Sequence, residues 1–368
     1  MIARRSGGTA TVPLVPTSLL LDPGTDPSAA PAPQDSPRRL GTRSSTPDAV
    51  FRSVIYLAGI LVLLIMLMVG LFLAVRAGEA LREAGWSFLT TADWDPDGGN
   101  FGIAAVLLGT VLIGLTAIAF ALPLALGTAL YISEYAPDGL RRTLINLVDL
   151  MAAVPSVVYG LWGLFLLQPE LLVRGVSGDG VPRFLATYFG WIPLFRVTLD
   201  GEPVDAGSPT TPGSVYASST FIAGLVVALM VAPIACSIMR ESFSQAPLGE
   251  REGAYALGST RWGMVRTVVI PFGTGGIIGG TMLGLGRALG ETIAVFMVIS
   301  VTFAVQPRIL ESGTSSVSSL IALRYGEGSP FAISALMAAG LSLFVMTLIV
   351  NFIASSFIAR SRSGAVSQ

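Results

Sequence analysis

The sequence predicts an all-α membrane protein with six transmembrane helices, and three observations carry that expectation. Only 12% of its 368 residues are charged, against about 25% in soluble domains. Mean hydropathy is +0.72, and 52% of the chain is hydrophobic. Uncharged apolar runs recur at roughly the 20-residue length that crosses a bilayer.

What the composition lacks narrows the chemistry. There is no His and no Lys, so all 22 basic residues are Arg. A His general base, a Ser-His-Asp triad and His metal ligands are excluded, as are a phosphate-loop lysine and Schiff-base chemistry. The single Cys236 excludes an internal disulfide or a Cys-cluster metal site. A net charge of -1 gives no reason to expect a nucleic-acid partner. Nothing here suggests that the chain performs covalent chemistry itself.

Residues 1–49 form a separate zone, with eight of the 23 prolines and many Ser, Thr, Gly and Ala. Such a stretch buries too little apolar surface to offset its ordering entropy and reads as a disordered tail. It is too long and too acidic for the short basic start of a signal peptide, so the first apolar run reads as a retained helix. Residues 50–100 hold that helix and an outer segment; residues 101–360 hold the core.

The spans follow in order. Ser53–Val75 is free of charge and makes the first. The second covers about 106–132, with Pro123 as a kink. Met151–Leu167 makes the third and Phe221–Met239 the fourth. Two uncharged runs separated only by Arg287 and Glu291 read as one long bent fifth span, about 270–303, and Phe331–Ala359 is the sixth. In the third, Pro155 reads as a kink whose freed carbonyl Ser156 can satisfy; Ser156 and Tyr159 are weaker pore-lining candidates. Cys236 reads as a small packing residue, and Trp86, Trp94, Trp162 and Trp191 as interfacial anchors. With both termini inside, inner segments carry 14 arginines and outer segments seven, as the positive-inside rule requires.

Two segments between spans stand out. Segment 168–215, rich in Pro, Gly and Asp, suits either a docking surface or a solvated loop. Arg240–Arg266 is neither Pro-rich nor repetitive and predicts a short helix, about 249–257, a turn at Gly258, and a second piece carrying Trp262 and Val265. Gly258 suits the left-handed position at a helix end, and Pro271 suits the first turn of the fifth span. A projecting helix of this kind either enters a groove on a cytosolic partner or rests on lipid headgroups; the residues alone leave both open.

Arg287 is the one basic residue inside a span. At roughly 2.5–3.5 kcal/mol on insertion scales, such a charge faces a cavity or a partner. It lies 16 residues beyond Pro271, roughly 24 Å along a helix. Four-residue spacing puts Glu291 on the same face. The two form either a self-neutralising pair that holds the span to a neighbour or an anion relay in which the guanidinium forks onto oxyanion oxygens. Around them Gly276, Gly280 and Gly284 recur every fourth residue, Gly275 and Gly279 run beside them, and Gly286 and Gly290 repeat the step. Small residues at that spacing let helices approach closely, for packing or for a gate.

Several motifs then carry a resemblance. Glu252, Ala254, Gly258, Ile270 and Pro271 occupy the positions of the coupling-loop signature of ABC import permeases, with Gly253 replacing its first Ala. The stretches Phe88–Pro96, Ala153–Phe165 and Gly284–Thr292 resemble the permease subunits of the phosphate-specific transport (Pst) system, most of all its C-type subunit. The resemblance covers about residues 53–360 and leaves the tail without a role. It implies a type I ABC importer permease fold with a cytoplasmic coupling helix, in a bacterial cell membrane. It also implies a second homologous permease subunit, an ATPase dimer docked on the coupling loop, an extracytoplasmic phosphate-binding protein, and lipid around the spans. No cofactor is expected on this chain, since ATP and Mg belong to the ATPase, and no chain without a phosphate-loop lysine supplies that activity. The resemblance places Arg287 and Glu291 on the substrate pathway and leaves Pro155, Gly276, Gly280, Gly284 and Gly290 as gating or packing positions. A permease for sulfate or molybdate, or an ion-coupled secondary transporter, remains the alternative.

Overall fold

The computed structural model of the chain describes residues 46–174, 180–199, 202–203, 213–299, 302–326 and 328–363. The chain divides into two units, Met1–Ile60 and Leu61–Gln368. Of the expected tail, residues 1–45 lie outside the described residues, while 46–49 form the first turn of a helix rather than its disordered end. Pro47 suits a first turn, and the acidic Asp48 there complements the helix dipole.

Helix α1 runs Thr46–Ala84, well beyond the apolar stretch that announces it. After the short α2 (Ser87–Thr90), strands β1 (Trp94–Asp95) and β2 (Asn100–Phe101) pair as a small antiparallel hairpin. Helix α3 (Ala104–Leu130) continues into a wide π turn, Tyr131–Tyr135, and accommodates Pro123. Then come α4 (Asp138–Ala153) and α5 (Ser156–Trp162), the latter extended by π turns to Arg174. Helix α6 (Val181–Phe189) and a hairpin of β3 (Thr198–Leu199) and β4 (Glu202–Pro203) lie within the long segment before α7 (Thr220–Ser244). The remaining elements are α8 (Leu248–Ala256), α9 (Arg261–Met264), a π turn Val265–Val269, α10 (Ile270–Leu289), α11 (Ile293–Val298), α12 (Val317–Arg324) and α13 (Pro330–Ser363). Among the described residues, five helices are long and apolar enough to cross a membrane, and the bent pair α4–α5 makes a sixth crossing if taken as one broken span.

Two spans differ from expectation. The third does not run through Met151: α4 and α5 meet at 90° around Val154–Pro155. Pro155 supplies no N–H to the Met151 carbonyl and pushes Val154 into extended backbone, so the kink is a right angle. The amphipathic α4, with Arg141 and Arg142, suits the membrane surface, and the apolar crossing begins at Ser156. The fifth span is not one helix over 270–303. It starts at Arg261, runs to Leu289, and stops at Gly290; α11 is a separate short helix.

Helix α7 is the centre of the packing, with α3 and α10 against it. Its buried face includes Phe221, Ile222, Met230, Cys236, Met239 and Phe243, and its start is capped by Ser219, which accepts from the Ile222 N–H. Cys236 sits in that packing as expected. Lipid tails remove the hydrophobic drive for helices to associate, so close van der Waals approach must hold them. The glycines supply it: a Cβ on Gly224 of α7 would stand 2.6 Å from the Thr116 methyl of α3, and one on Gly284 would stand 2.6 Å from Val231. A second apolar cluster joins Phe88, Phe101 and Ile103 to Leu320 of α12 and to Ala335, Leu336 and Ala339 of α13. Trp94 stacks on Phe303 there, within the protein as well as at its edge.

The segment between α5 and α7 is pinned rather than free. Ile309 N–H donates to Leu194, Ser312 N–H donates to Val215, and the Glu311 carboxylate accepts from the Thr198 N–H at 3.2 Å. Gly178, Asp179, Pro209 and Pro212 lie outside the described residues.

Candidate functional site: a projecting loop and an arginine at a broken helix

Helix α8 matches its expected place within a residue at each end. Pro247 precedes it, Glu250 lies in its first turn, and Gly258 ends the loop at φ +81, where a Cβ would be strained. The Ser259 N–H closes back on the Ala254 carbonyl at 3.0 Å. Thr260 then caps α9 by accepting from the Gly263 N–H at 3.1 Å. Glu252 projects to the surface, as do Tyr255, Leu257 and Trp262, while Ala254 packs inward against the core. The exposed residues thus mix the carboxylates of Glu250 and Glu252 with apolar side chains.

Pro271 lies near the start of α10, yet the helix does not begin there. It is continuous from Arg261, and the π turn directly before Pro271 accommodates it. The Ile270 N–H donates to Val265, five residues back, so the ladder has already shifted register where proline withholds its donor. The second piece of the loop, α9, and Arg287 are therefore parts of one helical segment.

At its far end Arg287 sits in the last turn of α10, a favourable place for a cation beside the helix carbonyls. Its side chain is exposed. Glu291 is not one turn further along the same face. The helix ends at Leu289, and Glu291 lies off it, 9% exposed, with Oε1 accepting the Ala294 N–H at 3.2 Å to cap α11. Its carbonyl accepts from the Ser318 hydroxyl at 2.7 Å. Among the described residues Arg287 makes no ion pair with Glu291, so the self-neutralising pair is not formed. Gly290 ends α10 and does not continue the packing face.

The packing face is narrower than the glycine pattern suggests. Gly273, Gly276, Gly280 and Gly284 meet α7: a Cβ on Gly276 would collide with Ser242, and one on Gly280 would stand 3.0 Å from the Ala235 carbonyl oxygen. Gly275 and Gly279 have nothing within 4 Å. On the other side of the site, Gly160 of α5 lets Ala294 of α11 approach, where a Cβ would stand 2.9 Å from its Cα.

Pro155 and Tyr159 work together. The Tyr159 hydroxyl donates to the Met151 carbonyl at 3.0 Å, which Pro155 leaves without its usual helical donor and which also takes the long bond from the Val154 N–H at 3.3 Å. Ser156 was the expected donor, and the tyrosine takes that role. Tyr159 precedes Gly160, where α5 packs on Ala294 of α11, so the right-angle break leads to the helix that follows Arg287.

Three features were not singled out from the sequence. One is the run Thr314-Ser315-Ser316-Val317-Ser318-Ser319, buried and knotted by its own hydroxyls at the start of α12; its Ser/Thr density was a visible signal. The others are Glu134 and Arg251, indistinguishable in the sequence from ordinary surface charges, which the fold brings together at 3.1 Å.

Comparison with known proteins agrees with this architecture. Residues 121–363 match the family model of the binding-protein-dependent transport system inner membrane component. The chain is 35% identical over 330 residues to the phosphate transport system permease protein PstC of Xylella fastidiosa, covering 90% of this chain and 96% of that one. It is 37% identical over 308 residues to PstC 2 of Mycobacterium tuberculosis, covering 83% and 89%. A chain of a bacterial ABC transporter involved in the import of the acidic polysaccharide alginate shares the fold, with a TM-score of 0.53 at 16% identity, covering 87% of this chain and 98% of that one. The multi-pass helices, the projecting loop and these relatives converge: the chain belongs to the binding-protein-dependent inner-membrane permeases of ABC transporters, in the PstC phosphate-permease family.

Proposed function

We propose that the chain is the permease subunit of an ATP-driven phosphate importer and forms half of its translocation pathway. The observation that carries this reading is Arg287: an exposed guanidinium without a carboxylate partner among the described residues, at a helix break, in a chain whose relatives are phosphate permeases. A guanidinium presents a planar fork of donors that matches two phosphate oxygens at once. With no Lys or His in the chain, arginine is its only cationic side chain for an anion. Glu291, turned to cap α11, leaves Arg287 open to substrate.

The rest of the assembly follows from the same reading. A second, homologous permease completes the pathway, and the exposed face of α8, with Glu252, docks on an ATPase dimer that holds ATP and Mg. A phosphate-binding protein delivers substrate to the opposite face. Both termini lie in the cytoplasm, in keeping with the arginine asymmetry. ATP-driven closure moves α8, and through Gly258 and Pro271 the movement reaches Arg287.

The test is uptake of labelled phosphate in a strain lacking its own importer, with sulfate and molybdate as competitors. Saturable, ATP-dependent phosphate uptake unaffected by either competitor supports the reading; inhibition by one of them reassigns the oxyanion. Purification through a tag on this chain should recover an ATPase subunit. Recovery without one, with uptake driven by an ion gradient, would replace the importer reading with a secondary transporter.

A further inference from the structure

Resting on the importer reading, we propose that the buried ion pair Glu134–Arg251 makes the end of α3 follow α8 through the transport cycle. The pair is a second mechanical connection, separate from the helical path through Pro271.

The geometry is specific. Arg251 lies in the middle of α8, and its Nη1 is 3.1 Å from both carboxylate oxygens of Glu134. Its Nη2 donates to the Phe243 carbonyl at 2.6 Å, in the last turn of α7. One guanidinium thus holds the carbonyl ends of two spans. The Glu134 side chain is 4% exposed, and that of Arg251 18%.

Local energetics do not place Glu134 there. A carboxylate at the C-terminal end of a helix opposes the helix dipole, and burying it adds a desolvation penalty. Ser133 offers one hydroxyl, at 2.8 Å; the charge is met by Arg251. Removing α8 would strand a buried carboxylate, so α3 and α8 are held together by the cost of separating them. A surface clasp would impose no such constraint.

The pair also sits where displacement has consequences. Glu134 lies in the π turn that ends α3, and Ala136 and Pro137 lead directly into α4. Helix α4 ends at the Pro155 break, where Met151 is tied to Tyr159, and α5 in turn packs through Gly160 on Ala294 of α11, the helix that follows Arg287. The chain therefore connects the projecting helix to the arginine from two sides, through α9–α10 and through α3–α4. Glu134 and Arg251 are positioning residues; neither touches the anion.

The test uses the complete transporter in liposomes, with spin labels on α8 at Glu250 and at the start of α4 at Asp138, both exposed. Their separation is measured without nucleotide and with nucleotide trapped. This readout does not depend on the substrate, so it stands even if phosphate proves to be the wrong ion. With Glu134 intact the separation should hold within about 2 Å between states, the scale of small helix shifts. Glu134→Gln should broaden or shift it and lower phosphate moved per ATP about tenfold, with the ATPase still bound. The exchange Glu134→Arg with Arg251→Glu should recover part of the coupling. Equal separation changes in both proteins overturn the proposal, as does unaltered phosphate per ATP in Glu134→Gln when the unsubstituted transporter moves phosphate. If Glu134→Gln fails to assemble, Arg251→Gln is measured in its place. Failure of both to assemble also overturns it, because the pair would then be a scaffold.

Discussion

The Tyr159 hydroxyl donates to the Met151 carbonyl at 3.0 Å across the right-angle break at Pro155, filling the place of the N–H that proline lacks. Tyr159→Phe keeps the ring and removes only that bond. The expected loss of stability is small, about 0.6 kcal/mol as for polar contacts in membranes. Uptake should fall more than stability does, because the break is freed to flex where α5 packs on α11. Thermal melting of the purified complex alongside labelled-phosphate uptake separates the two effects; equal uptake would leave the hydroxyl a purely structural role.

Arg287→Gln is expected to abolish phosphate uptake while the complex still assembles and hydrolyses ATP. The residue makes no ion pair among the described residues, so its loss leaves no carboxylate stranded. Arg287→Lys should retain only a fraction of the uptake, since an ammonium cannot fork onto two oxygens. Full activity in Arg287→Gln would remove the residue from the pathway.

Glu291 caps a helix, so its accepting oxygen and its charge can be separated by chemistry. Glu291→Gln keeps an oxygen to accept the Ala294 N–H and should fold normally. Glu291→Ala should lose about 1 kcal/mol, the usual value of a cap. Melting temperatures of the two variants test this order, and a reversed order would refute the capping role.

The glycine stripe predicts a contrast between neighbours. Gly276→Ala places a methyl against Ser242, and Gly280→Ala places one against the Ala235 backbone; both should destabilise the chain. Gly276→Ala should be relieved by Ser242→Gly, whereas Gly280→Ala, blocked by backbone, should have no simple rescue. Gly275→Ala and Gly279→Ala meet no atom within 4 Å and should be neutral or, at about 1 kcal/mol for glycine against alanine in a helix, stabilising. Urea or thermal unfolding in detergent reads all four.

Gly258 is constrained by its backbone alone, at φ +81 with open space around it. Gly258→Asn should be tolerated and Gly258→Val should not, with a cost of about 1–2 kcal/mol for a side chain in the left-handed region. The check is co-purification of the ATPase subunit, and equal recovery with Asn and Val would argue against a docking role for this turn.

Much of this architecture was legible because lipid imposes a length and an apolar composition on every crossing. Span number, the position of α8 and the turn at Gly258 follow from those rules and from glycine's access to positive φ. What escaped was the interruption of helices. Gly290, Glu291 and Thr292 look like a continuation of the fifth span by hydropathy, since a three-residue break alters apolarity very little. That error carried the Arg287–Glu291 pairing with it, because four-residue spacing places two side chains together only while the helix persists. Pro155 announced a bend but not its angle, which depends on what α4 and α5 pack against. Glu134 and Arg251 are 117 residues apart, and no local pattern marks two charges as partners over that distance.

The continuity of Arg261–Leu289 has a mechanical consequence. From Arg261 to Arg287 the segment spans about 39 Å at 1.5 Å per residue. A rigid rod of that length, tilted by about 5° at the loop, carries the guanidinium roughly 3 Å, more than the length of a hydrogen bond's useful range. A hinge at Pro271 would have absorbed such a tilt; the π turn, by keeping the rod unbroken, lets a rotation too small to unpack α7 make or release a grip on an anion.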